Sequence, residues 1–166
     1  MNNIYLIGFM AVGKTTVSRE LGRRTGRTVI DTDQRIEQQE GRKIARIFAE
    51  KGEDYFRELE KNTLQKIAGE DGRIVSCGGG IIKSEENIRV MKKSGKVILL
   101  TAAPETIYSR VGEDKNRPLL EGHRSPEGIR QMMEQRQPLY DRAADGRVST
   151  DDWDLDRICR EILNFL

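Results

Sequence analysis

Histidine and tryptophan each occur once in the 166 residues, cysteine twice, and aromatic residues make up only 5% of the chain. Cys77 and Cys159 have no paired spacing, which excludes a disulfide framework and a cysteine-histidine zinc site and fits a reducing compartment. No apolar run approaches the ~20 residues a bilayer crossing needs. The chain enters its first apolar run almost at once, without the basic region and long apolar stretch of a secretory leader. Neither sign of charge dominates: Lys and Arg total 29 against 27 for Asp and Glu, a net charge of +2. The electrostatic footprint of a nucleic-acid binder is therefore lacking. Repeats, linkers and low-complexity tracts are absent as well. The length suits one domain with a full core, expected to be soluble and cytoplasmic, with neither nucleic acid nor membrane as partner.

What is present begins at Gly8. The run Gly8-Phe9-Met10-Ala11-Val12-Gly13-Lys14-Thr15 fits G-x-x-x-x-G-K-[ST] and lies between an apolar run, Ile4 to Ile7, and a stretch with Val17 and Leu21 at helical spacing. Strand, loop and helix thus follow in the order a phosphate-binding loop requires. Its glycines let successive N–H groups turn inward at phosphate oxygens, and a helix opening at Lys14 adds its positive dipole end. Gly8, Ala11, Val12, Gly13, Lys14, Thr15 and Thr16 are the expected triphosphate contacts. Lys14 would reach the β- and γ-phosphates, and the Thr15 hydroxyl would ligate magnesium.

Short β-branched runs alternate with longer amphipathic ones, the pattern of βα units that build a parallel sheet between helical layers. Five strands are expected at Ile4 to Ile7, Thr28 to Ile30, Arg73 to Ser76, Lys96 to Leu100 and Arg147 to Ser149. Helices are expected from Lys14 to Thr25, Ile44 to Lys51, Asp54 to Ala68, Glu85 to Ser94, Pro104 to Val111, Pro126 to about Ala144, and Leu155 to Leu166. The last carries a stripe of Leu155, Ile158, Cys159, Ile162, Leu163 and Leu166 that must cover the core. Gly112 to Ser125 has no apolar stripe and reads as a polar loop, for which a lid is the natural role in a nucleotide enzyme.

In open α/β sheets the carboxyl ends of the strands form the site. Asp31 and Asp33 follow the second strand and would point the same way if it continued. One can then hold magnesium through water while the other accepts the proton of an attacking alcohol. Asp33 also fits a helix N-cap, ahead of Gln34-Arg35-Ile36. After the third strand come Ser76, Cys77 and then Gly78, Gly79 and Gly80, a run that suggests close backbone approach by a ligand, although a tight turn alone would also accommodate part of it. Cys77 reads as a small filler. Arg57, after Tyr55-Phe56, and Arg136, on one stripe with Ile129, Met133 and Tyr140, need partners because an unpaired buried guanidinium costs several kcal/mol. Carboxylates of the chain and a substrate carboxylate both satisfy that need.

Together these residues resemble the shikimate kinases, from end to end. The resemblance rests on Ile7-Gly8-Phe9-Met10 leading into Gly13-Lys14-Thr15, Asp31-Thr32-Asp33, Phe56-Arg57, Gly78-Gly79-Gly80, Arg117-Pro118-Leu119-Leu120 and Arg136-Gln137-Pro138-Leu139-Tyr140. It implies a P-loop, nucleoside-monophosphate-kinase-like fold with strand order 2-3-1-4-5, a lid at about 112–125 and an acceptor-binding helical segment at about 33–61. The implied reaction moves the γ-phosphate of ATP, with Mg2+, to the 3-hydroxyl of shikimate on the route to chorismate. By the same resemblance Asp33 binds ring hydroxyls and assists deprotonation, Arg57 and Arg136 hold the carboxylate, and Gly78, Gly79 and Gly80 contact substrate. Arg117 closes over the phosphates, Asp31 and Ser76 organise magnesium through water, and Arg110 stacks on adenine. A monomer is expected. Two departures stand out: Ala11 replaces a glycine common in relatives, and Thr150-Asp151-Asp152-Trp153 lacks an arginine that some relatives place near adenine. Competing readings are a kinase of another polyhydroxy acid, such as gluconate, and a nucleotide-binding module without catalysis. A GTP switch would need N-K-x-D, which does not occur.

Overall fold

The computed structural model describes residues 2–111 and 125–166. Five parallel strands, β1 (Asn3–Ile7), β2 (Val29–Asp31), β3 (Ile74–Ser76), β4 (Gly95–Thr101) and β5 (Gly146–Ser149), form one sheet in the order β2-β3-β1-β4-β5. The helices among the described residues are α1 (Lys14–Thr25), α2 (Thr32–Glu40), α3 (Ile44–Lys51), α4 (Glu53–Ala68), α5 (Glu85–Ser94), α6 (Pro104–Val111), α7 (Pro126–Ala143) and α8 (Leu155–Asn164). None of them is long and apolar enough to cross a membrane.

The alternation of β1 sorts the helices into two layers. Ile4 and Leu6 face a core completed by Val17 and Leu21 of α1, Ile107 of α6 and Ile158 and Ile162 of α8. Tyr5 and Ile7 face the opposite core, with Leu64 and Ile67 of α4, Ile88 and Met91 of α5 and Tyr140 of α7. Because the central strands are covered on both sides, they read as continuous apolar runs. A third, smaller core of Ile36, Ile47 and Phe56 ties α2, α3 and the start of α4 into a separate flap beside β2. This flap is the segment expected at about 33–61.

Several expected boundaries move. The strand β2 stops at Asp31, and α2 begins at once, ahead of the helical start expected at Asp33. Asp31 is its N-cap, with the carboxylate accepting from Gln34 N at 3.0 Å. Asp33 is therefore neither the cap nor a continuation of the strand. It sits in the first turn of α2, where a carboxylate also meets the positive end of the helix dipole. At the C-terminus α8 ends at Asn164, and Leu166 is exposed rather than part of the core stripe. Ser125, the last residue of the expected lid, caps α7 by accepting from Gly128 N at 3.0 Å. The rest of that segment, including Arg117, lies outside the described residues.

Candidate functional site

The loop after β1 runs into α1 with Gly13 as N-cap and no side-chain cap. The first N–H groups of α1 have no partner within the helix, and no side chain covers them, so they are open to an anion. Lys14 Nζ donates to the carbonyls of Gly8 at 2.6 Å and Phe9 at 3.2 Å, lying along the loop it would share with a triphosphate. Thr15 and Thr16 are exposed on the first turn. Ala11 takes a positive φ of 63°, which is why a glycine suits this position in relatives and what alanine costs here, about 1–2 kcal/mol of strain. Gly13, at φ 113°, is confined sterically too: a Cβ there would stand 2.5 Å from the Trp153 ring.

The side of the loop facing β5 is held by a set of contacts that the sequence did not announce. The Arg110 guanidinium donates to the carbonyls of Ala11 at 3.3 Å and Val12 at 3.1 Å, and to Thr150 Oγ1 at 3.1 Å. The buried Thr150 hydroxyl donates in turn to Val12 O at 2.7 Å. Arg110 also lies over the Trp153 ring, 4.7 Å from its centroid. The expected base-stacking arginine is thus already engaged as a strut of the phosphate loop and stacked on an indole. Trp153, 42% exposed and at a positive φ of 52°, lies in the segment that stands out in the sequence for lacking an arginine; as a lone aromatic between acidic residues it carries no periodic signal for this contact.

On the other side of the loop, the exit of β3 explains its three glycines. Gly80 has φ −97°, a conformation open to any residue, so the requirement there is space rather than backbone freedom. A Cβ on Gly78 would meet Asp33 Oδ1 at 2.5 Å, one on Gly79 would meet an Arg136 Nη at 3.2 Å, and one on Gly80 would meet an Arg57 Nη at 2.4 Å. The close approach expected here from a ligand is instead made by the three candidate acceptor-site side chains, each packed over its own glycine. Gly78 N also donates to the buried Thr32 Oγ1 at 2.9 Å, fastening the turn to the start of α2.

The electrostatics separate the two arginines. Arg57 pairs with Glu60 at 2.9 Å and Glu53 at 3.4 Å, so the expected pairing with the chain's own carboxylates is real. Glu60 is 1% exposed, and its second oxygen finds no partner among the described residues. Burial pushes its carboxyl up to about 7, against the pull of Arg57. This carboxylate, readable in sequence only as an i,i+3 neighbour of Arg57, fixes the guanidinium over Gly80. Arg136 lies over the Phe9 ring, 5.4 Å from its centroid, and makes no ion pair among the described residues.

Asp33 is set apart from ordinary surface carboxylates. Burial and the neighbouring Asp31 push it up to about 6, with Lys14 pulling the other way. It is therefore ionised at neutral pH yet basic enough to take a proton. Asp31 and Ser76 lie side by side in the β2–β3 register, at the strand edge next to the phosphate loop. No group of three His, Cys, Asp or Glu side chains among the described residues would cage a metal. The donor set of one exposed hydroxyl, Thr15, with Asp31 and Ser76 nearby suits magnesium, which keeps several waters and leans on phosphate oxygens. Cys77 is buried and its thiol is pushed up by that burial, so it is a filler.

A family model for shikimate kinase matches residues 10–166. The chain belongs to the shikimate kinase family. A shikimate kinase of Pelotomaculum thermopropionicum is 43% identical over the whole chain and 96% of its own length. Among solved structures, the shikimate kinase of Acinetobacter baumannii in complex with shikimate superposes with a TM-score of 0.91 at 34% identity, covering 99% of this chain and 92% of that one. A gluconokinase from Sinorhizobium meliloti reaches a TM-score of 0.61 at 16% identity, with 99% of this chain and 90% of that one covered, and shares the fold. In this chain the glycines of β3's exit gather Asp33, Arg57 and Arg136, and Trp153 lies against Gly13 and beneath Arg110.

Proposed function

We propose that the protein transfers the γ-phosphate of ATP to the 3-hydroxyl of shikimate, giving shikimate 3-phosphate and ADP. The observation that carries this reading is the convergence of one basic carboxylate and two guanidinium groups on three successive glycines beside the phosphate loop. A carboxylate-bearing ring would meet Arg57 and Arg136 at one end and Asp33 at the other. Asp33 orients the attacking hydroxyl and takes its proton as the bond to phosphorus forms. Lys14 turns from the Gly8 and Phe9 carbonyls to the transferred phosphate, where charge spreads in the transition state. Thr15 would hold magnesium directly, and Asp31 and Ser76 would hold it through water; the ion would supply positive charge against the phosphates. Gly8, Ala11, Val12, Gly13 and Thr16 line the triphosphate, and Arg110 with Trp153 borders the base. Arg117, from the segment outside the described residues, closes over the phosphates. A cytoplasmic monomer acting on small molecules alone completes the reading.

The direct test is ADP release from MgATP with shikimate, beside gluconate, nucleoside monophosphates and a no-acceptor control. Release with shikimate alone is expected. Release with gluconate instead would keep the fold and overturn the acceptor, and ATP binding without any release would point to a binding module.

A finer expectation concerns Gly80. Its alanine variant keeps an allowed backbone, but the new methyl displaces the Arg57 guanidinium, the movable end of a long side chain. Gly80→Ala is expected to fold normally and to raise the KM for shikimate roughly tenfold, the order of one lost charged hydrogen bond, with little effect on the KM for ATP. Equal rises in both would show that the β3 turn itself had been deformed.

A further inference from the structure

Phe9 touches both halves of the site. It lies in the phosphate loop, 3% exposed, and its carbonyl accepts from Lys14 Nζ at 3.2 Å and from Val12 N at 3.2 Å. Its ring meanwhile lies beneath the Arg136 guanidinium. One turn further along α7, the buried Tyr140 hydroxyl donates to Gly79 O at 3.4 Å. Nothing among the described residues neutralises the charge of Arg136.

The two arginines are thus held by opposite means. Glu60 fixes Arg57 but cancels part of its charge, so its pull on an incoming anion is weakened. An aromatic face attracts a guanidinium through its quadrupole and carries no net charge, so it fixes direction and leaves the full positive charge for a ligand. A carboxylate at position 9 would do the reverse, and would also repel the triphosphate beside it.

We propose that Phe9 is a positioning residue for the acceptor carboxylate: its ring aims Arg136 across Gly79 while keeping that cation unneutralised, so a residue of the phosphate loop sets affinity for the acceptor. This rests on the shikimate kinase reading of the site.

The test is a cycle of variants read as kcat/KM for shikimate, with ATP affinity measured separately without shikimate. Phe9→Leu keeps an apolar side chain and removes the π face. It is expected to lower kcat/KM for shikimate by on the order of 3- to 30-fold, the span of cation–π attraction between exposed and desolvated sites, and to leave ATP affinity unchanged. Phe9→Tyr, which retains the face, is expected to keep most of the wild-type value. In an Arg136→Met background Phe9→Leu should have no further effect, whereas in an Arg57→Ala background its full effect should persist. An equal loss in both backgrounds, or no loss in the wild-type background, overturns the proposal and leaves the shikimate kinase reading standing. A wild-type enzyme that does not turn over shikimate defeats that reading itself. If the leucine variant does not fold, Phe9→Met carries the same cycle with a more adaptable side chain.

Discussion

Asp33→Asn is expected to lower kcat with shikimate by on the order of 10²- to 10⁴-fold, the range for loss of a positioned proton acceptor. ATP binding should be nearly intact, because the phosphate contacts come from the loop and α1 rather than from α2. Binding is readable from the emission of Trp153, the one tryptophan, which lies against Gly13 and Arg110. A comparable loss of ATP affinity would remove Asp33 from the acceptor site. The wild-type pH profile should agree: kcat/KM for shikimate falls as pH drops through about 6, where burial and Asp31 have placed the Asp33 titration.

The same substitution should make the protein more stable. A carboxyl whose folded-state titration lies above its ordinary value is a liability when ionised. Its contribution is favourable at low pH and is lost as pH rises through about 6. Removing the charge from this partly buried site should therefore raise stability by on the order of 2 kcal/mol at pH 8. The gain should shrink as pH falls through about 6 and vanish well below the ordinary aspartate value of 3.8, where Asp33 is protonated in folded and unfolded chains alike. Thermal melts of the two proteins across that range check the sign; a variant less stable than wild type at pH 8 would mean that Asp33 holds the fold.

Arg117→Ala is expected to lower kcat by on the order of 10²- to 10³-fold, as for removal of one preorganised donor to transition-state charge, with a much smaller change in KM for shikimate. The elements flanking residues 112–124 give this weight. The helix α6 carries Arg110, bonded to the phosphate-loop carbonyls, and α7 carries Arg136, packed on Gly79. Residue 117 lies in the chain between these two helices. A pure rise in KM with kcat unchanged would make Arg117 a binding residue only.

Local rules made much of this architecture legible. The bounds of α1, α3, α5 and α6 match the sequence reading because each is closed by a glycine, a capping serine or a proline acting over a few residues. The start of α2 is harder to place, with its cap at Asp31 rather than Asp33, because Ile36 is its one buried apolar residue and Asp31 also ends a three-residue strand. In the site, the glycine run points to close approach by a ligand, whereas the groups over it are Asp33, Arg57 and Arg136, which no local pattern joins because they come from three different helices. Long-range contacts were the least visible. Nothing local to Arg110 or Phe9 tells that one braces the phosphate loop and the other lies under Arg136. Those pairings exist only once the sheet order has been assembled.

The glycine run also bears on how acceptor choice can change over evolution or in the laboratory. At three adjacent positions at the heart of the acceptor site any side chain crowds a neighbour the chemistry needs: Asp33, Arg136 or Arg57. New preferences cannot be written there one substitution at a time. They have to come from the flap of α2, α3 and α4, whose small separate core of Ile36, Ile47 and Phe56 can be recast without disturbing the sheet. Libraries aimed at other acceptors belong on that flap, with 78–80 left untouched.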